Sequence, residues 1–209
     1  MSEIYISVDI EADGPIPGPY SMLSLGAAIV NHADDVFYME LKPISDDFVQ
    51  GAMDVNGLDR EKLIKDGLSP EVGMQKFADW VVTMEKKHNG RAVFLAAPAV
   101  WDGMYVHWYF MRFINYNPFG RTGSGIDLRT YWMGMNHVAW GKTGKRAIKK
   151  ALNFSPGPHT HRADDDAKEQ AEYFSRILSE NCKRKACLKA ALGTIAKILG
   201  VEDKLQKLL

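Results

Sequence analysis

The sequence Ile4-Tyr5-Ile6-Ser7-Val8-Asp9-Ile10-Glu11 predicts a β-strand that carries two acids near its carboxyl end. Aliphatic residues occupy every second position, which is the period of a strand with one face turned toward a core. Asp9 and Glu11 therefore share the opposite face, ~7 Å apart along the strand. Carboxylates held this close repel each other unless a cation lies between them, and hard ions such as Mg²⁺ prefer oxygen ligands. The alternative is that the strand ends at Val8 and that both acids are solvated loop residues.

The segments that follow this strand alternate between strand and helix patterns. Further strands are predicted at residues 22–30 and 36–41, joined by a turn at 31–35, and short buried strands at 92–97 and 126–128. Helices are predicted after the Ser69-Pro70 pair, from Asp102 through Phe113, and at residues 163–178. This order of elements predicts an α/β fold in which helices cover a mixed sheet.

Length, composition and charge exclude several classes of protein. A chain of 209 residues fits one ordinary domain, and 46% hydrophobic with 25% charged residues excludes wholesale disorder. Lys plus Arg and Asp plus Glu each number 26, so any grip on nucleic acid must be local. Cys182 and Cys187 do not make a disulfide framework. We find no signal peptide and no stretch of ~18–20 apolar residues, so we expect a cytoplasmic protein.

Two later segments also place acids where a site could form. Asp102 follows the buried strand and begins a helix, although an aspartate there could simply be an N-cap. The segment His159-Thr160-His161-Arg162-Ala163-Asp164-Asp165-Asp166-Ala167 opens the late helix. Its first acids suit the helix dipole, whereas Asp166 lies deeper, beside small residues that face inward. A histidine on the preceding loop can act as a base near neutral pH, and spacing alone does not choose between His159 and His161.

These residues, in this order, resemble the DEDDh family of 3′→5′ exonucleases, from residue 4 to about residue 180. Asp9 and Glu11 match the first motif, Asp102 the second, and His161 with Asp166 the third. The chain is similar to the ribonuclease T-like branch, through 117–120, 126–128 and the His-Thr-His sequence before the last motif. One departure is the stretch Ala97-Pro98-Ala99, where many members carry an Asn before the second Asp.

The resemblance implies a ribonuclease H-like mixed five-stranded sheet and a metal-dependent active site. Asp9, Glu11, Asp102 and Asp166 would be catalytic ligands for two Mg²⁺ ions, with Mn²⁺ as a substitute. His161 would be the general base that takes a proton from the attacking water. Members with Tyr as the base place it four residues before the last Asp, where this chain has Arg162. The products would be nucleoside 5′-monophosphates.

The sequence indicates the residues that contact substrate less specifically than it indicates the acids. The family resemblance implies that residues after the first motif pack against the terminal base. A basic segment at 142–150 offers phosphate contacts, although it could equally be a solvated helix face. The candidates for substrate binding are Ala12, Met22, Leu23, Lys145 and Arg146.

We therefore expect a 3′→5′ exonuclease that acts on single-stranded 3′ ends, with RNA favoured as the substrate. The alternatives are a DNA-directed exonuclease of the same family and a catalytically silent nucleic-acid-binding module on the same fold. The exonuclease domain is expected at 1–180 and a helical tail at 181–209, in which Leu188, Leu192, Ile195 and Leu199 form a buried stripe. The tail is either a helix pair or one long helix, and a homodimer is a possible assembly.

Overall fold

A computed structural model describes residues 2–123, 125–154 and 162–199. Its centre is a five-stranded sheet in the order β3-β2-β1-β4-β5. The strands are β1 (Ser2–Ala12), β2 (Met22–Ile29), β3 (His32–Glu40), β4 (Gly90–Ala96) and β5 (Gly125–Asp127). The first three strands form an antiparallel meander, while β4 runs parallel to both β1 and β5. The predicted mixed sheet is confirmed.

The helices cover both faces of this sheet. They are α1 (Gln50–Asn56), α2 (Arg60–Asp66), α3 (Pro70–His88), α4 (Ala99–Tyr109), α5 (Leu128–Asn136), α6 (Lys145–Ala151) and α7 (Ala163–Leu199). A π-helical turn at Phe110–Ile114 extends α4, and a short 3-10 turn at Trp140–Lys142 precedes α6.

Each face of the sheet has its own apolar core, because the side chains of a strand alternate between faces. The aliphatic positions of β1 pack with Phe77 of α3 and with Tyr105 and Tyr109 of α4. On the other face, Leu95 of β4 packs with Phe174 of α7 and with residues of α5 and α6. The acids of β1 lie on this second face, toward α7.

The boundaries of several elements follow from local hydrogen bonds. Ser69 caps α3 as predicted, since its hydroxyl accepts a hydrogen bond from the amide of Val72 at 3.4 Å. Asp127 caps α5 through the amide of Thr130 at 2.7 Å and also accepts from the amide of Ala99 at 2.8 Å. One carboxylate thus fixes the starts of both α4 and α5.

Two predicted boundaries were wrong. The turn after β2 is shorter than 31–35, because Asn31 adopts a left-handed conformation (φ 68°) and lets β3 begin at His32. The aromatic helix begins at Ala99 rather than at Asp102, with Pro98 as its N-cap residue. Asp102 is consequently inside the first turn, so the alternative that it is a simple N-cap is also wrong.

The late helix is much longer than 163–178. As α7 it runs without a break for 37 residues, past the boundary expected near residue 180. The structure therefore has one long helix there, up to Leu199. Leu188 does not belong to a buried stripe, since it is 62% exposed; the side chains of Ile195 and Leu199 lie outside the described part. Within the described ranges, no helix combines the length and apolarity that a membrane crossing requires.

Candidate active site

The end of β1 carries the first two acids on the strand itself. β1 continues to Ala12, and Asp9 and Glu11 pair in register with Gly26 and Ser24 of β2. The alternative that the strand ends at Val8 is therefore wrong. On its other side, β1 pairs with β4 only as far as Ser7, so both acids project beyond the last paired residue of β4. This leaves an opening at the carboxyl edge of the sheet, where ligands bind in α/β folds.

The start of α7 lies unusually close to the sheet beside these acids. A Cβ atom at Gly26 would stand 2.2 Å from backbone atoms of Ala163 and Asp164, so only glycine fits there. Ala163 and Ala167 are fully buried at this contact. The close approach brings Asp166 to the acids of β1: ligand oxygens of Asp9, Glu11 and Asp166 all lie within 4.8 Å of one another.

Asp102 reaches the same site from the opposite side of β1. It is 3% exposed, and its Oδ1 atom accepts a hydrogen bond from the amide of Ile10 at 3.1 Å. Ile10 is the residue between the two acids of the strand. This hydrogen bond holds the first turn of α4 against the part of β1 that carries the two acids. The four predicted acids therefore converge on one place.

Burial and mutual repulsion make this cluster unfavourable in its ionised form. Desolvation, followed by the charges of Asp102, Asp166 and Glu11, raises the pKa of Asp9 well above its usual value. Burial and then the charge of Asp166 raise the pKa of Glu11 to about 7. Burial also raises the pKa of Asp102 to about 7, although the hydrogen bond from Ile10 opposes this shift. Each of these shifts favours the protonated carboxyl, and a bound cation would favour the ionised form instead.

The donor set fits divalent ions of the Mg²⁺ type. Four carboxylates from three elements supply only oxygen ligands, which hard cations prefer. Bound cations would also reverse the pKa shifts of Asp9, Glu11 and Asp102, since a nearby positive charge favours the ionised carboxylate. The repulsion that makes the cluster costly is thus what gives it affinity for cations.

Gln170 is a site residue that the sequence analysis missed. It is 1% exposed, and its Nε2 atom donates a hydrogen bond to Oδ1 of Asp9 at 2.7 Å. It lies one helical turn after Asp166 on the face of α7 that meets the sheet. A polar residue four positions after Asp166, next to the buried Ala171, was the available indication.

Lys145 lies near enough to the site for its charge to lower the pKa of both Asp9 and Asp102. It is also paired with Glu169 at 3.3 Å, and Lys149 shares that partner at 3.2 Å. Arg146, by contrast, is exposed. In the predicted basic segment, two lysines therefore pair with α7, while Arg146 is exposed, as are Lys142 and Lys150.

Met22 and Leu23 differ from the expectation that they contact a base. Both are fully buried, Met22 in the main core and Leu23 in a small cluster with Met53 and Leu63. A base could contact either side chain only after this packing changed. Ala12 is also buried, and its carbonyl accepts a hydrogen bond from Asn56 Nδ2 at 3.2 Å.

The first acid of the triplet is neutralised locally, as expected for a residue at a helix start. Asp164 accepts a hydrogen bond from Arg162 at 2.6 Å and pairs with Lys168 at 3.2 Å. Arg162 also lies over the ring of Tyr38, 4.5 Å from its centroid. His159 and His161 lie outside the described residues, so the assignment of the base stays a prediction.

Comparisons with known proteins identify the family to which the chain belongs. The chain is 40% identical over 186 residues to the 3′-5′ DNA exonuclease Cap18 of Escherichia coli. This alignment covers 87% of this chain and 96% of Cap18. No family model matches the chain. It belongs to the DEDDh family of 3′→5′ exonucleases, which have a ribonuclease H-like fold.

Solved structures show the same fold at low identity. The nuclease domain of 3′hExo, a DEDDh family member bound to rAMP, has a TM-score of 0.70 at 15% identity, covering 86% of this chain and 93% of that one. Exonuclease I of E. coli, in complex with a dT13 oligonucleotide, has a TM-score of 0.65 at 14% identity. That match covers 90% of this chain but only 43% of exonuclease I.

Proposed function

We propose that this chain is a Mg²⁺-dependent exonuclease that removes nucleoside 5′-monophosphates from the 3′ ends of single-stranded DNA. The observation that carries the proposal is the convergence of Asp9, Glu11 and Asp166 within 4.8 Å, with Asp102 bonded to the strand between the first two. DNA replaces the expected RNA as the favoured substrate because the 40% identical relative is a DNA exonuclease.

The four carboxylates would hold two divalent ions, whose total charge balances four ionised acids. Such ions supply activation of a water and stabilisation of the leaving 3′ oxygen. Asp102 and Gln170 keep Asp9 and its strand in place, the first through the amide of Ile10 and the second through Oδ1 of Asp9. The buried setting of Asp102 excludes water from that side of the site.

His161 is proposed as the general base that accepts the proton of the attacking water. Asp164 is paired with Arg162 and Lys168, and Asp166 is the acid of this segment whose carboxylate lies within 4.8 Å of those of Asp9 and Glu11. The histidine five residues before Asp166 is His161, whereas His159 precedes the neutralised Asp164 by the same spacing. Lys145 and Arg146 are proposed to contact phosphates upstream of the scissile bond.

The substrate is tested with matched 5′-labelled DNA and RNA oligonucleotides of one sequence, incubated with Mg²⁺, with Mn²⁺ or with EDTA. We expect DNA products that shorten from the 3′ end, in Mg²⁺ or Mn²⁺ only. Faster shortening of RNA would overturn the choice of DNA while leaving the exonuclease assignment intact. Binding of either oligonucleotide without any shortening would instead favour the silent binding module.

A homodimer built through α7 also stays a prediction. Residues 182–190 of this helix are exposed, so its distal part has a free surface in the single chain. Sedimentation of the full chain against a chain that ends at Asn181 tests it. A smaller assembly for the shorter chain is expected, and monomers in both cases would exclude a dimer role for this segment.

A further inference from the structure

A second cluster of potential metal ligands lies at the opposite edge of the sheet from the carboxylates. His32 and Asp35 belong to the start of β3, and His88 is the last residue of α3. One ligand atom from each lies within 4.8 Å of the other two. We propose that these three residues bind a Zn²⁺-type transition-metal ion, separate from the catalytic ions.

The register of the sheet separates this cluster from the catalytic acids. His32 pairs with Ile29, which in turn pairs with Ile6 of β1. Ile6 precedes Glu11 by five residues, which is roughly 17 Å along a strand, and β3 lies two strands away from β1. His88 is followed almost directly by β4, whose first residue pairs with Ser2 at the amino end of β1. The two sites therefore do not share ligands.

The positions of the three side chains are already close to those that an ion requires. Nε2 of His88 lies 2.8 Å from Oδ2 of Asp35, and the rings of His32 and His88 lie with their centroids 4.0 Å apart. Two ligand atoms on a tetrahedral zinc ion stand about 3.3 Å apart, so His88 and Asp35 need to separate by only about 0.5 Å. Ligation thus requires a small adjustment rather than a rebuilt site.

The setting of the cluster also favours a cation. The side chains of Asp35 and His88 are only 12% and 11% exposed, whereas His32 is exposed and open to solvent. His88 stands at the carboxyl end of α3, where the helix dipole favours positive charge. Among the described residues, no hydrogen-bond partner is found for the ring of His32. Its nitrogens are therefore available as ligands.

The ligand types of this second cluster favour a different ion from the one expected in the active site. Two imidazoles and one carboxylate suit Zn²⁺ or Co²⁺, with a fourth position left for water, whereas Mg²⁺ prefers all-oxygen sites. Lys87 competes with the ion, because its ammonium pairs with Oδ1 of Asp35. A bound ion would tie the β2–β3 hairpin to the end of α3, and its expected effect is structural.

The test uses Co²⁺ as a spectroscopic stand-in, titrated into the full chain with Mg²⁺ in excess to occupy the carboxylate site. We expect one Co²⁺ per chain with the strong visible absorption of a low-coordinate, nitrogen-ligated ion, displaced by Zn²⁺. His32→Gln and His88→Gln should each weaken binding at least about 100-fold, since each removes a direct ligand. Because His32 is exposed, we expect the first variant to retain the fold, and a thermal melt in EDTA checks this.

Two further variants make the test specific. His137→Asn replaces an exposed histidine in a left-handed helix cap, a conformation that Asn tolerates, and should leave Co²⁺ binding unchanged. Lys87→Met removes the competing ammonium and should tighten binding several-fold. Absence of the visible bands in wild type would overturn the proposal. Bands that persist at equal affinity in both glutamine variants would place the ion elsewhere and would overturn it as well.

Discussion

The two edges of the sheet hold carboxylates in opposite electrostatic settings. At the carboxyl end of β1, which is the catalytic edge of the proposed function, burial and neighbouring acids raise the pKa of Asp9, Glu11 and Asp102. At the other edge, hydrogen bonds from Lys87 and His88 lower the pKa of Asp35. Hydrogen bonds from basic side chains thus dominate at the acid near the hairpin, whereas burial dominates at the acids of the carboxyl edge. The balance between burial and hydrogen bonding, rather than the presence of acids, distinguishes the two clusters.

The same contrast occurs within the first turn of α7. Asp164 is paired with Arg162 and Lys168, whereas the charge of Asp166 contributes to the raised pKa values of Asp9 and Glu11. Only two residues of sequence separate these two acids, but they lie in different surroundings because a helix turns by about 200° over two residues.

The largest effect is expected from Asp9→Asn. The amide keeps an oxygen that can accept the hydrogen bond from Gln170, but it removes one charge from the cluster. We expect turnover to fall by at least about 10³-fold, because a ligand of the catalytic ions is lost. The metal-free protein should unfold at the same or a higher temperature, since repulsion is relieved. Full activity, or clear destabilisation in EDTA, would contradict the contrast between the two edges.

The control for Asp9→Asn is Asp46→Asn, which removes the same charge from an exposed position. Its activity, its Mg²⁺ dependence and its melting temperature in EDTA should all match those of wild type.

The next effect concerns the base at the catalytic edge. A positioned general base contributes about 10²–10⁴-fold, so His161→Ala should lower kcat by about 10²-fold or more. Its affinity for Mg²⁺, measured by calorimetry, should be nearly unchanged. His159→Ala is the matched comparison and should lose far less. If His159→Ala is the more damaging variant at equal folding and equal Mg²⁺ binding, the pairing of His161 with Asp166 is wrong.

Most of the fold was predictable from the sequence for a physical reason, whereas the family resemblance selected the set of four acids. Strand period and helix caps are local patterns, and they located the five strands and the start of α3, although the start of β3 was placed too late. The acids interrupt apolar segments at the ends of elements, where an unpaired charge is costly. Their meeting at one edge follows from the parallel arrangement of β1 and β4.

What could not be predicted depends on packing between distant segments. The role of Gln170 requires the approach of α7 to β1, and the burial of Met22 and Leu23 requires knowledge of the elements that cover them. The start of α4 at Ala99 depends on a hydrogen bond from its amide to Asp127, 28 residues away. The cluster of His32, Asp35 and His88 joins two segments more than 50 residues apart, which no local pattern reveals.

The two edges should also differ in how pH affects stability without metal. Folding raises the pKa of Glu11 from 4.5 and of Asp102 from 3.8, both to about 7, so the folded form holds protons more tightly than the unfolded chain. Their stabilising contribution is therefore full at pH values below those of the unfolded carboxyls and is lost as the pH rises through about 7. Asp35 has the opposite sign, since its lowered pKa contributes stability that is lost in acid.

The direction in which the free energy of unfolding changes with pH is measured by urea unfolding in EDTA between pH 5 and 8. Asp102→Asn should flatten the fall in the free energy of unfolding, while Asp35→Asn should leave its slope over this range unchanged. Saturating Mg²⁺ should reduce the fall in wild type, because cations stabilise the ionised form. An Asp102→Asn variant with the wild-type slope would show that this carboxyl is not a source of the effect.

A smaller effect is expected from the contact that brings α7 to the catalytic edge. Gly26→Ala places a methyl group 2.2 Å from the backbone of Ala163 and Asp164, so the start of α7 must move. We expect a loss of about 1–3 kcal/mol in the free energy of unfolding, together with lower activity. Gly134→Ala is the control: it lies in α5, no atom of the described residues outside that stretch of helix lies within 4 Å of the new methyl group, and it should stabilise by about 0.5–1 kcal/mol. Equal stability of the two variants would rule out a close contact at Gly26.

The smallest effect is expected from Gln170, a neutral residue whose hydrogen bond holds Asp9 at the catalytic edge. Gln170→Leu keeps the volume but removes the donor to Asp9, and we expect about a tenfold loss of activity with a higher Mg²⁺ requirement, as for residues that orient metal ligands. Stability should change little, because the Oε1 atom of Gln170 has no hydrogen-bond partner within the described part of the chain and leucine removes that buried polar atom. Glu172→Gln, an exposed change on the same helix, is the control. A purely structural role would lower the stability of Gln170→Leu while its Mg²⁺ dependence stayed that of wild type. A shift in the Mg²⁺ dependence at unchanged stability would instead show that Gln170 holds Asp9 in its ligating position.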